Sequence, residues 1–130
     1  MIDERKTFNQ KANAIRQAID LDVSIEDIDG LTGKLLRLTC LVGLSAELKA
    51  RAKHDLKDGE LIAFAKHKHE KLAPTMFKIV IEGECAELYG KLELADRLNA
   101  GLVHCMDSIR TIISLRKEEM KTVIYSTGNP

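Results

Sequence analysis

The chain has 130 residues, the length of one domain, and its 20 basic residues offset 20 acidic ones, so the formal net charge at pH 7 is zero and nothing global announces a nucleic-acid or membrane partner. Hydrophobic residues make up 45% but aromatics only 4%, with no Trp, so the core has to come from Leu, Ile, Val, Met and Ala, a composition suited to helix packing. No window approaches the ~18 to 20 apolar residues of a membrane span, and the start MIDERKTFNQ holds no apolar run. Cys40, Cys85 and Cys105 form an odd set without CxxC spacing inside apolar helical patterns. They are expected as buried free thiols of a soluble cytoplasmic protein.

In chain order, Phe8, Ala12, Ile15 and Ile19 recur every three or four residues and predict a short amphipathic helix over 3–20, able to pack on a bundle or in a partner's groove. The stretch from Asp20 to Asp29 carries five acids and no base, and Ser24 with Asp27 resembles a capping pair. Gly30 and Gly33 punctuate the segment that follows. A long helix is predicted over 31–71. Its residues Leu31, Leu35, Leu38, Leu41, Val42, Leu44 and Leu48 cover a face wider than one seam needs, so more than one helix should pack on it. Beyond Leu48 the spacing thins to Ala52, Leu56, Ile62, Ala63 and Ala65, and Gly59 is a point where the helix bends or is interrupted without ending. Pro74 disfavours helix before it and sets a turn at 72–74. A short helix over 75–82 follows, with Gly83 as a hinge.

From Glu84 to Val123 a heptad pattern holds without proline. Cys85, Leu92, Asn99, Met106, Ile113 and Met120 form one line, with Leu88, Ala95, Leu102, Ile109, Arg116 and Val123 interleaved. This predicts one helix over 84–123, roughly 60 Å long at ~1.5 Å per residue, and a polar tail over 125–130. Asn99 and Arg116 interrupt the seam, either as tolerated residues near a groove or helix end or, for Asn99, as a polar residue that fixes register or oligomer state. A stripe this long needs a second long helix to cover it. The expected fold is all-α: a long antiparallel helical hairpin with a short N-terminal helix, completed by homo-oligomerisation.

Glu84 with Glu87, and Glu93 with Asp96, are ExxE and ExxD pairs of the kind that hold magnesium in all-helical nucleotide pyrophosphohydrolases. On one helix, at ~100° per residue, the two pairs point to different sides, so one metal cannot gather them. His67 and His69 are two apart where helical zinc ligands need three or four, and they are expected as solvated histidines, as is His54. No GxxxxGK[ST] or GxGxxG turn is present. No catalytic residue, metal or cofactor is therefore expected. The segment from Lys49 to Lys71 holds seven bases against four acids. Lys49, Lys53 and Lys57, spaced i, i+4 and i+8, form a cationic stripe with Arg51 to its side, and Lys66, Lys68 and Lys71 lie further along. Such a stripe can track phosphates with salt-sensitive affinity, or simply solvate a helix face. Asp55, Asp58 and Glu60 dilute it, and Phe64 is the nearby aromatic for base stacking.

The run from Ala46 to Gly59, AELKARAKHDLKDG, resembles the helix of UvsY-type phage recombination mediators that carries a Leu-Lys-Ala-Arg element and ends in a Gly-containing polar loop. Ala86-Glu-Leu-Tyr-Gly-Lys-Leu through Leu102 to Asp107-Ser-Ile-Arg110 resembles that family's last long helix. The likeness covers about Leu35 to Lys121. It implies an all-helical, ring-like homo-oligomer that binds single-stranded DNA and helps load a recombinase onto strands coated by single-strand-binding protein, in a bacterial host's cytoplasm. Lys49 and Arg51 match the family's DNA-contacting Lys-Ala-Arg element, whereas Lys53 and Lys57 join them on stripe geometry. The chain departs from the family in its electrical neutrality and in the tract KHKHEK over 66–71. A non-catalytic helical adaptor or assembly protein is the alternative reading, and a magnesium-dependent pyrophosphohydrolase built on Glu84, Glu87, Glu93 and Asp96 is the second.

Overall fold

A computed structural model describes residues 7–127, which form four helices and no strand: α1 (Phe8–Asp20), α2 (Ile28–His67), α3 (Pro74–Glu84) and α4 (Ala86–Thr127). The all-α expectation holds for these residues. Among them, no helix is long and apolar enough to cross a membrane.

The helix ends follow local chemistry. Thr7 caps α1 through a reciprocal box, in which Thr7 Oγ1 accepts from the Gln10 amide and Gln10 Oε1 accepts from the Thr7 amide. Among the described residues helix therefore begins at Phe8; residues 3–6 of the expected helix lie outside them. At the other end of α1, Lys34 Nζ donates to the carbonyls of Ile19 and Leu21, each at 2.7 Å, and so satisfies acceptors that a helix terminus leaves open. Ser24 closes a single turn, its carbonyl accepting from the Asp27 amide. Asp27 then caps α2 through its Oδ1, which accepts from Gly30 N at 2.9 Å. That starts α2 three residues before the expected Leu31, and a Cβ at position 30 would fall 2.3 Å from the Asp27 carboxylate.

Between Ile28 and His67, α2 is uninterrupted, Gly59 included. The glycine serves close approach instead: a Cβ there would lie 2.3 Å from Leu88 Cδ1. The helix ends at His67, four residues before the expected Lys71, and Pro74 occupies the first turn of α3. The break between α3 and α4 falls at Cys85, two residues beyond the expected hinge at Gly83. Helical hydrogen bonding runs through it, from Cys85 N to Ile81 O at 3.0 Å and from Tyr89 N to Cys85 O at 2.9 Å. The last helix continues to Thr127, past the expected end at Val123, so the start of the expected tail is helical and residues 128–130 lie outside the described residues.

α2 and α4 lie side by side. Ser45 meets Asn99, Lys49 meets Asp96, Gly59 meets Leu88 and Lys66 meets Glu84, so rising numbers on one helix pair with falling numbers on the other. The seam residues Ala95, Leu102, Met106 and Ile109 are buried against Leu31, Leu38, Leu48 and Ala52, and Ala12, Ile15 and Ala18 of α1 close the same core. The broad apolar face of α2 is explained by this third helix. A smaller cluster of Leu56, Ala63 and Cys85 continues the core toward α3.

Three expectations are corrected here. Cys40 is exposed, because it stands two residues, about 200° round the helix, beyond the buried Leu38. Val42 and Ile62 likewise face out. The seam is covered only as far as Ile113. Met120 is 60% exposed and Val123 is also exposed, since α4 runs on beyond the helices that cover its earlier turns.

Asn99 proves to be a paired seam residue. Ser45, 1% exposed, donates from Oγ to Asn99 Oδ1 at 3.1 Å, joining the two long helices with a polar contact inside an apolar seam. Asn99→Ala is expected to destabilise the fold by about 1–3 kcal/mol, the usual cost of stranding a buried polar partner. Ser45→Ala combined with Asn99→Leu should cost less than the sum of the two single changes. Urea unfolding of the four proteins of this cycle measures the coupling.

Candidate nucleic-acid interface

The four cations expected at the interface do not share one surface. Arg51 precedes and Lys53 follows the buried Ala52, so at ~100° per residue they leave α2 on opposite flanks. Lys49, on the flank of Lys53, reaches across the seam to Asp96 Oδ1 at 3.1 Å. With both side chains partly solvated, that pair contributes about 0.2–1 kcal/mol. Arg51 Nε lies 3.6 Å from Asp55 Oδ1, one turn on. Lys53 and Lys57 are exposed, one turn apart, and among the described residues neither has an ion-pair partner. The candidate site therefore divides into two engaged cations and two that present their full charge to solvent.

On its own flank, Arg51 borders a cleft of about 800 Å³ between the start of α1, the middle of α2 and the start of α4. Lys11 and Lys91 line it with Glu47 and Asp55, and the Lys91 ammonium sits 5.9 Å from the centre of the Phe8 ring. Phe8 is thus the aromatic that stands among cations. Phe64, the one expected for stacking, packs edge-to-face on Phe77 with ring centres 5.3 Å apart. The sequence separation of Phe8 from the basic segment hid this, because only the packing of α1 on α2 brings them together.

The carboxylates of the two acidic pairs each face a cation. Glu84 meets His67 and Lys66, Glu87 meets Lys91 at 3.9 Å, Glu93 meets Arg97 and Asp96 meets Lys49. Among the described residues, no group of three or more His, Cys, Asp or Glu is arranged to hold a metal ion. Burial pushes the Cys85 thiol up from its ordinary value, reinforced by the charges of Glu60 and Glu84, which keeps it protonated and unreactive. Burial likewise raises the Tyr89 phenol, with Glu60 and Glu82 adding to the effect.

His67 is not the solvated residue expected. Its side chain is 12% exposed, with Nε2 against Glu84 and Nδ1 2.8 Å from Glu70 Oε1. Only the doubly protonated ring donates to both carboxylates, and a cation at the end of α2 also suits the helix dipole. The hydrogen bonds to Glu84 and then Glu70 raise the His67 pKa against a smaller opposing effect of burial, and the same contact lowers that of Glu84. Spacing alone could not reveal this cluster, because Glu84 lies 17 residues away on α3.

No protein-family model, no curated protein and no solved structure matches the chain.

The His67 cluster sets a pH dependence. With its folded pKa raised, His67 stabilises fully below its ordinary value of about 6.5, and that contribution disappears as pH climbs through the raised value. Glu84, lowered, stabilises above the ordinary carboxylate range and loses its contribution as pH falls through its folded value. Thermal unfolding followed from pH 5 to 8.5 should show a melting temperature that falls in the wild type as pH rises beyond the ordinary histidine value. In His67→Gln that drop should be absent or much reduced.

Proposed function

We propose that this protein is a non-catalytic, single-stranded-DNA-binding protein of the recombination-mediator kind, a helical hairpin completed by homo-oligomerisation into a ring-like particle. It helps load a recombinase onto strands held by single-strand-binding protein. The observation that carries the reading is the pair Lys53 and Lys57: two exposed ammonium groups, one turn apart on a forty-residue helix, with no carboxylate partner among the described residues. Phosphates along a single strand can replace water around both without displacing a protein anion. Lys49 and Arg51 join when a phosphate competes with Asp96 or Asp55. An oligomer repeats the pair on every subunit, so individually weak contacts add through effective concentration. The resemblance of the Ala46–Gly59 and Ala86–Arg110 segments to recombination mediators supplies the biological setting of the proposal.

A second reading is favoured by a different observation. None of the residues of α3 is buried, although Met76, Phe77, Ile79, Val80 and Ile81 are apolar. Such a surface fits an assembly or adaptor protein whose charges only solvate it.

A salt titration with labelled oligothymidylate separates the two readings. Binding by the mediator weakens with salt, and replacing Lys53 and Lys57 together by Ala makes the slope of log K against log salt shallower by about 0.7 for each phosphate that is no longer neutralised. Lys49→Ala should change that slope less than loss of either unpaired lysine, because Asp96 already engages Lys49. An adaptor gives no salt-dependent binding at all, and that result in the wild type would end the DNA reading.

A further inference from the structure

Among the described residues, the two ends of the molecule carry exposed apolar side chains. At one end, Ile79 of α3 is 55% exposed, and Met76, Leu61 and Phe64 are also exposed. The edge-to-face contact of Phe64 with Phe77 makes this a single surface spanning α2 and α3. At the other end, α4 continues past the start of α2 with Leu115, Met120 and Ile124 exposed. There, Glu26, Ile28, Arg116, Glu119, Met120 and Ile124 enclose a groove of about 400 Å³. The length of α2 keeps the ends apart, roughly 60 Å over its 40 residues at ~1.5 Å per residue. No single molecule can bring one against the other.

The ends also differ in charge. Residues 66–84, which include α3, hold four Lys and three Glu, with Lys66 against Glu84 and Lys78 3.9 Å from Glu82, whereas residues 20–29, which lead into the groove at the other end, hold five acids and no base. Lys78 stands next to Ile79 on α3, and Glu26 stands on the rim of the groove. Two copies of the same end would set like charges together. Unlike ends set Lys against Asp and Glu, and place a helix with uncovered apolar side chains against a groove that lacks one.

We propose that these ends are the two halves of one interface: the α3 end of one copy docks onto the α4 end of a second copy of this chain. Ile79 and Met76 enter the groove beside Met120, and Lys78 meets Glu26 at its edge. Such a contact is heterologous, since each subunit uses one end for each neighbour and keeps the other available. The inference rests on the self-association in the reading above and is independent of DNA binding.

The test uses two variants of the whole chain, Ile79→Asp and Met120→Asp, both at exposed positions, with mass measured by sedimentation. The wild type is expected above dimer mass and each variant alone at the 14.5 kDa of one chain. The equimolar mixture should give a particle of twice that mass, because the intact α4 end of the first variant accepts the intact α3 end of the second. A monomeric wild type, a variant that still dimerises alone, or a mixture that stays monomeric overturns the proposal. If either Asp variant loses helicity, Lys78→Glu and Glu26→Lys replace them: each weakens assembly alone, and a chain carrying both restores it. Failure to restore also overturns the proposal. Assembly as described without oligonucleotide binding removes only the DNA reading, and DNA binding by a monomer removes only this interface.

Discussion

Two helices of about forty residues can hide their apolar lines only against each other, and the order in which they meet is marked by one polar contact, Ser45 with Asn99, in a seam otherwise built from Leu, Ala, Met and Ile. Leucine-rich seams tolerate sliding by a heptad, since one leucine fills another's place. A hydroxyl facing an amide does not, because a slipped register buries both without partners. Once this pair is set, Lys49 faces Asp96, Gly59 receives Leu88, and Lys66 with His67 reaches Glu84. The contacts between α2 and α4 at the candidate interface follow from that alignment.

Charge is partly neutralised within the molecule. Arg51 with Asp55, Lys78 with Glu82, Lys91 with Glu87, Arg97 with Glu93 and Lys121 with Glu118 are neighbours on one helix surface. The neutral total is one of composition, 20 bases against 20 acids, and the pairs above neutralise only part of it locally. Lys53 and Lys57 are two of several cations without a carboxylate partner among the described residues, Arg16, Arg37, Lys68 and Lys71 among them, and are set apart by standing one turn from each other on α2.

Much of the architecture was legible because long helices announce themselves by period. The heptad from Cys85, the wide apolar face from Leu31 to Leu48 and the stop at Pro74 are one-dimensional signals. What stayed hidden needs a second element to become visible. A heptad continues through Met120 whether or not anything covers it, so the pattern could not say that cover stops near Ile113. Cys40 read as buried because apolar neighbours surround it in sequence, while its direction from the axis points away from α4. Arg51 read as the flank of a lysine stripe, although Ala52 between Arg51 and Lys53 turns them to opposite sides. Phe8 joins Arg51 and Lys91, and His67 joins Glu84, only through tertiary packing.

The joint at Cys85 carries a geometric consequence. The residue departs from helical geometry (φ −96°, ψ 9°), yet amide-to-carbonyl links pass through it from Ile81 to Tyr89. One residue off helical geometry, with the hydrogen-bond ladder kept on both sides of it, thus joins α3 to α4 without a loop. Hydrogen-bonded helix therefore continues from Pro74 to Tyr125, more than fifty residues, with a single off-helix residue in its course.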